Sequence, residues 1–142
     1  MIKIVFCLRR LPGLSAQDFS TYWRDHHAPL VRDAASALRI KRYVQSHHLD
    51  APQVAGAVEA RGSKQVPFDG IAELWWDSMD DVVAASATKE GRAAGRRLLD
   101  DEKNFIDLAA STLFYATEHV IISKGGAGLG DDAAHDRNSA RP

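Results

Sequence analysis

Apolar and polar residues alternate from the start of the chain. Ile2, Ile4, Phe6 and Leu8 fall on one face of an extended segment, and Lys3, Val5, Cys7 and Arg9 on the other. The second face is also apolar in its middle, which predicts a strand over 1–10 covered on both sides. Leu11-Pro12-Gly13 ends it. The period then changes. Ser15 is an N-cap, with Asp18 in capping-box position and Leu14 and Phe19 spaced as a hydrophobic staple. Phe19, Tyr22, Trp23, Leu30, Ala34 and Leu38 form a helical apolar stripe, with His26 inside it and His27 toward its edge. Pro29 has no N–H for the carbonyl of Asp25 and steers Ala28 away from helical geometry. A bend or an end of the helix is expected there.

Alternation returns over 39–48. Tyr43, Gln45 and His47 share one face, and Ile40, Val44, Ser46 and His48 the other. Residues 50–67 carry few large apolar side chains and read as a long connection. A third strand follows over 69–76, with Ile71, Glu73 and Trp75 opposite Ala72, Leu74 and Trp76. Ser78, with Asp81 three residues on, opens a second helical region that Gly91 divides and 93–107 resumes. Residues 112–123 read as a fourth strand. From Lys124 onward there is almost nothing to bury, which predicts a domain over 1–123 and a disordered tail over 124–142.

The order strand, helix, strand, strand, helix, strand predicts an α+β, ferredoxin-like βαββαβ protomer. Its four-stranded antiparallel sheet carries both helices on one face. The strands are apolar on both sides, so the open face is expected to meet a second sheet in a homodimer.

Charge narrows the partners. Of 142 residues, 18 are Lys or Arg and 19 are Asp or Glu, a net charge of −1. That balance argues against nucleic acid. The single cysteine, Cys7, permits no internal disulfide and no multi-cysteine metal site, and it suits a reducing cytoplasm. Neither a signal peptide nor an apolar run able to cross a bilayer is evident, so no membrane partner is expected.

Several segments together resemble the EthD-domain family. They are Ile2 to Ser15, Tyr22-Trp23 followed by His27-Ala28-Pro29-Leu30, Arg42-Tyr43-Val44-Gln45, and Asp101-Glu102-Lys103-Asn104-Phe105-Ile106-Asp107. The resemblance spans nearly the whole predicted domain. It implies a dimeric α+β barrel of two ferredoxin-like protomers, with a pocket between sheet and helices in each. It also implies a small enzyme, of oxidoreductase, lyase or isomerase type, acting without metal or organic cofactor. The substrate would be a small aromatic, a lactone or a polyketide-like molecule. The alternative is a dimeric module that binds a hydrophobic metabolite or haem for a partner oxygenase.

His27, the histidine that matches the family motif, is the first candidate for acid–base catalysis, because imidazole titrates near neutrality. The plain alternative is a helix-end histidine bonding carbonyls freed by Pro29. Tyr43, on a strand and also in a matched segment, is the second catalytic candidate, as a donor to a carbonyl or enolate oxygen. It could equally be a packed tyrosine. Tyr22, Trp23, Trp75 and Trp76 supply flat apolar area for an aromatic ligand, although aromatics are ordinary core residues too. Phe105, His47 and Glu73 complete the substrate-binding set. Asp101 and Glu102 read as structural, with a salt bridge to an arginine. The adjacent pairs His26-His27 and His47-His48 diverge on a helix or strand, so no metal site is expected.

Overall fold

The computed structural model describes residues 1–64 and 67–125. Strand β1 (Ile2–Leu8) leads to helix α1 (Ala16–Tyr22), a π-helical turn (Trp23–His27) and helix α2 (Ala28–Leu38). Strand β2 (Arg42–His47) is followed by a 3-10 turn (Pro52–Val54), the one-turn helix α3 (Gly56–Glu59) and strand β3 (Gly70–Trp76). Helices α4 (Met79–Ala87) and α5 (Lys89–Glu102), a 3-10 turn (Leu108–Ala110) and strand β4 (Thr112–Thr117) complete the described chain. The strands form one antiparallel sheet in the order β2-β3-β1-β4. This is the expected ferredoxin-like βαββαβ protomer, of α+β class.

Register assigns the two faces of the sheet. Ile4 lies opposite Leu74 and Tyr115, and Tyr43 lies opposite Leu74. Tyr43, Leu74, Ile4 and Tyr115 therefore make one row across the sheet. Gln45, Ala72, Phe6 and Leu113 make the next row on the same side. The helices cover this side unevenly. Ala72 is buried with Phe19, Trp23 and Phe105, whereas Leu113 and Tyr115 are each 48% exposed. The helix-side apolar residues of β4 are thus left half exposed. On the opposite face lie Val5, Val44, Ile71, Glu73, Trp75 and Phe114.

The start of α1 follows its sequence signals. Ser15 Oγ accepts the N–H of Asp18 at 3.0 Å, and Leu14 packs on the cluster that holds Phe19. Pro29 does not end the helix. Ala28 is helical (φ −56°, ψ −41°), and its N–H reaches back to the carbonyl of Trp23, a π-type bond. The proline sits in the first turn of α2, where a missing N–H is tolerated.

The π-turn has a second effect. Phe19, Trp23, His27 and Val31 are all buried, each four residues after the last. In a regular helix that spacing drifts by about 40° per step, and the wide turn takes up the drift. His27 is therefore buried and His26 exposed, the reverse of the expected stripe.

Two expected boundaries move. The break in the second helical region falls at Thr88, whose Oγ1 accepts from Gly91 N at 2.9 Å, not at Gly91 itself. Gly91 lies against the backbone of Ala85, where a Cβ would collide. Strand β4 ends at Thr117, not Ser123, because Thr117 pairs with Ile2, the first strand residue of β1. The expected loop after β2 contains the two short helical turns. The expected disordered tail lies outside the described residues from 126 onward.

Candidate functional site

Two hydrogen-bonded groups occupy the helix side of the sheet. The first is centred on His27, which is 5% exposed. Its Nδ1 donates to Asp101 Oδ2 at 2.7 Å, and its ring lies 5.0 Å from that of Phe105. Asp101, near the end of α5, also accepts from Tyr22 Oη at 2.6 Å and Asn104 Nδ2 at 3.3 Å. Burial pushes the His27 imidazole below its ordinary value and outweighs the upward pull of Asp101. Burial would raise the Asp101 carboxyl, but its hydrogen bonds from Tyr22, His27 and Asn104 prevail and lower it. His27 is thus neutral at neutral pH and Asp101 ionised. Among the described residues, every fully buried side-chain nitrogen or oxygen is hydrogen-bonded. Nε2 of His27 has no hydrogen-bond partner among the described residues, and it is not one of the fully buried atoms.

The second group is centred on Tyr43. Its hydroxyl oxygen accepts from Trp23 Nε1 at 3.2 Å and from Gln45 Nε2 at 2.9 Å. The same Gln45 nitrogen donates to the carbonyl of Trp23 at 3.0 Å. Both lone pairs of the phenol are then engaged. Its own proton has no acceptor among the described residues. Burial raises the Tyr43 pKa, so the phenol stays protonated and remains a donor. Trp23 is held over Gly70, where a Cβ would strike the indole and meet Ser46 O at 2.8 Å.

Glu102 stands beside this group, one turn after Leu98, which packs with Val31 and Ala34 against Tyr43. Its charge contributes to the raised pKa of Tyr43. Burial, helped by the neighbouring Asp101, pushes the Glu102 carboxyl up to about 7. The sequence reading assigned Asp101 and Glu102 to a salt bridge with an arginine. Instead Asp101 takes His27 and Tyr22, and Glu102 has no ion-pair partner among the described residues. An acidic residue one turn beyond a buried leucine on an amphipathic helix was the available signal for Glu102.

The structure brings together Trp23, Tyr43 and His47, and separately Tyr22, His27 and Phe105. His47 lies 4.4 Å from the Trp23 ring. No hydrogen bond joins His27 to Tyr43. Glu73 and Trp75 are not in this site, because strand alternation puts them on the other sheet face. There Glu73 pairs with Lys3 at 2.6 Å, and Trp75 donates to Glu118 Oε2 at 2.8 Å beneath Arg42. None of the eight sequence-predicted site residues lines the cleft of about 620 Å³ between the β1–α1 loop and Phe68-Asp69. Among those residues no group of three or more His, Cys, Asp and Glu converges as metal ligands, and no helix is long and apolar enough to cross a membrane.

Fold and site define a ferredoxin-like α+β domain with polar groups set into the helix side of its sheet. Among solved structures, an ethyl tert-butyl ether D (EthD) family protein from Bacillus halodurans is similar, at 22% identity and TM-score 0.55. The match covers 84% of this chain and 99% of that one. An EthD-like protein from Ralstonia eutropha JMP134 matches at 19% identity and TM-score 0.55, over 87% and 95%. A dimeric protein of ferredoxin-like fold from Bacteroides fragilis matches at 9% identity and TM-score 0.51, over 82% and 95%. The EthD domain family model matches residues 11–109, and the chain belongs to the EthD-domain family.

Proposed function

We propose that the chain is a small enzyme that stabilises an oxyanion and moves a proton on a small aromatic, lactone or polyketide-like substrate. One observation carries this reading. Two donors occupy the Tyr43 oxygen and its own proton has no acceptor among the described residues, which leaves that proton for a ligand. Ile4, Phe6, Leu113 and Tyr115 supply an apolar surface in the same rows of the sheet. His27, neutral and oriented by Asp101, serves as the base through Nε2. The chain's own residues supply both functions, so the reading invokes no metal or organic cofactor.

The working unit in this reading is a homodimer in a reducing, cytoplasmic setting. The sheet face carrying Val5, Val44, Ile71 and Phe114 meets its copy, in keeping with a dimeric α+β barrel. Ile121 and Ile122, 87% and 91% exposed, supply further apolar surface for that contact.

The test is turnover of hydroxylated aromatics and lactones by wild type, Tyr43→Phe and His27→Ala. Loss of kcat by about a hundredfold or more in each variant is expected. Wild-type kcat in Tyr43→Phe would overturn the proposal. Ligand-induced thermal shifts without turnover by wild type would reassign the site to a binding module.

A further inference from the structure

A cleft of about 620 Å³ opens between the β1–α1 loop and the residues ahead of β3. Its wall mixes Leu11, Leu14 and Phe68 with Arg9, Ser20 and His48. Its two arginines differ. Arg10 is neutralised by Asp69, with Nη1 at 2.6 Å from Oδ1 and the backbone N–H at 2.8 Å from Oδ2. The Arg9 guanidinium lies 4.3 Å from the Phe68 ring and has no carboxylate partner among the described residues. A cation on an aromatic plane, next to apolar walls, suits a small anion with an apolar body.

Ser20 is the hydroxyl in that wall, and it is not an ordinary one. Its Oγ lies 2.5 Å from His47 Nδ1. His47 Nε2 lies 2.9 Å from Gln45 Oε1. Because the Gln45 nitrogen donates to Tyr43 and Trp23, its oxygen faces His47 and must accept. That fixes the imidazole as the Nε2–H tautomer, so Nδ1 is left to accept from Ser20. Nucleophile, base and orienting amide are thus arranged in series, the order of a Cys-His-Asn or Ser-His-Asp triad. Burial, and then the charge of Arg24, lower the His47 pKa, so the ring stays unprotonated with Nδ1 free to accept a proton.

We propose that this cleft is a second, acyl-transfer site for small esters or lactones whose acid part carries a carboxylate, with Ser20 as nucleophile and His47 as base. Ser20 Oγ attacks the carbonyl carbon as its proton passes to His47 Nδ1. The tetrahedral oxyanion collapses, the carbon–alkoxide bond breaks, and the alcohol leaves with the proton from His47. Water, deprotonated by His47, then attacks the acyl-serine; the C–Oγ bond breaks and the proton returns to Ser20. Arg9 binds the carboxylate. Gln45 is a positioning residue.

The experiment treats the full chain with phenylmethylsulfonyl fluoride and maps adducts by peptide mass. A single sulfonyl adduct on Ser20 is expected, absent in Ser20→Ala and formed about a hundredfold more slowly in His47→Gln. Gln45→Glu should move the pH midpoint of labelling upward, because a carboxylate partner favours imidazolium. Arg9→Ala should raise KM for a nitrophenyl ester bearing a carboxylate and leave that of nitrophenyl acetate unchanged. No adduct on wild-type Ser20, or equal rates in His47→Gln, would overturn the serine assignment. Unchanged selectivity in Arg9→Ala would overturn the carboxylate assignment.

Discussion

His27 and Asp101 are 74 residues apart in the chain, yet their side chains meet at 2.7 Å in a buried hydrogen bond between the helical segment after α1 and the end of α5. The neutral imidazole donates and the carboxylate accepts. Asp101→Asn removes the charge that pulls the His27 pKa up, so that pKa should fall further. The substitution also mismatches the donors from Tyr22 and Asn104, and should cost about 1–3 kcal/mol. An NMR titration of the imidazole together with a urea melt checks both. An unchanged His27 pKa would rule out the coupling.

Glu102 should make stability fall as pH rises. Its folded pKa of about 7 lies above the ordinary 4.5, so the folded state holds a proton that the unfolded state releases. The favourable contribution is complete below about pH 4.5 and is lost as pH passes 7. Glu102→Gln should match wild type at pH 4.5 and exceed it at pH 8 by at most about 3 kcal/mol. Melts at the two pH values measure the difference.

Lowering the pH acts on His27 with the opposite sign. Its folded pKa lies below 6.5, so the unfolded state gains the proton first, and stability declines as pH falls below about 6.5. In the Glu102→Gln background, where the opposing titration is absent, stability should drop from pH 7 to pH 5. A flat profile across that range would contradict the burial of His27.

Gly70→Ala should destabilise by about 1–3 kcal/mol or more, because the added methyl meets the Trp23 indole and Ser46 O. Indole fluorescence should shift as Trp23 is displaced. A variant with wild-type stability would mean that Trp23 is not seated on Gly70.

Val44→Lys tests the proposed homodimer. Val44 lies opposite Glu73 on the sheet face away from the helices. A lysine there should convert the dimer to a monomer by sedimentation while keeping the circular dichroism of the fold. An unaltered sedimentation coefficient would place the subunit contact elsewhere.

Much of the fold was legible in the residues. Alternation in Ile2–Leu8, Arg42–His47 and Gly70–Trp76 marked the strands, because a half-covered sheet forces a two-residue period. Ser15 and Ser78 marked helix starts, because their side chains satisfy N–H groups that the helix leaves free. The site was less legible. His27 and Tyr43 stand out as candidates through residue type and resemblance, but their partners Asp101 and Gln45 depend on contacts across the fold. Glu73 and Trp75 looked like site residues because composition does not say which face of a sheet the helices will cover. The raised pKa of Glu102 arises from burial, which the order of residues does not reveal.

The π-turn makes one helical rod out of two independent phases. Before it, Phe19 and Trp23 are aimed by their contacts with the sheet; after it, Val31 and Ala34 are aimed by α5. Deleting one residue between Trp23 and His27 would leave an ordinary helical turn, in which the two side chains, three residues apart, would stand about 60° out of line. Length in those five residues is therefore constrained more tightly than identity. Asp25, exposed between Trp23 and His27, can change in kind more easily than the turn can change in number.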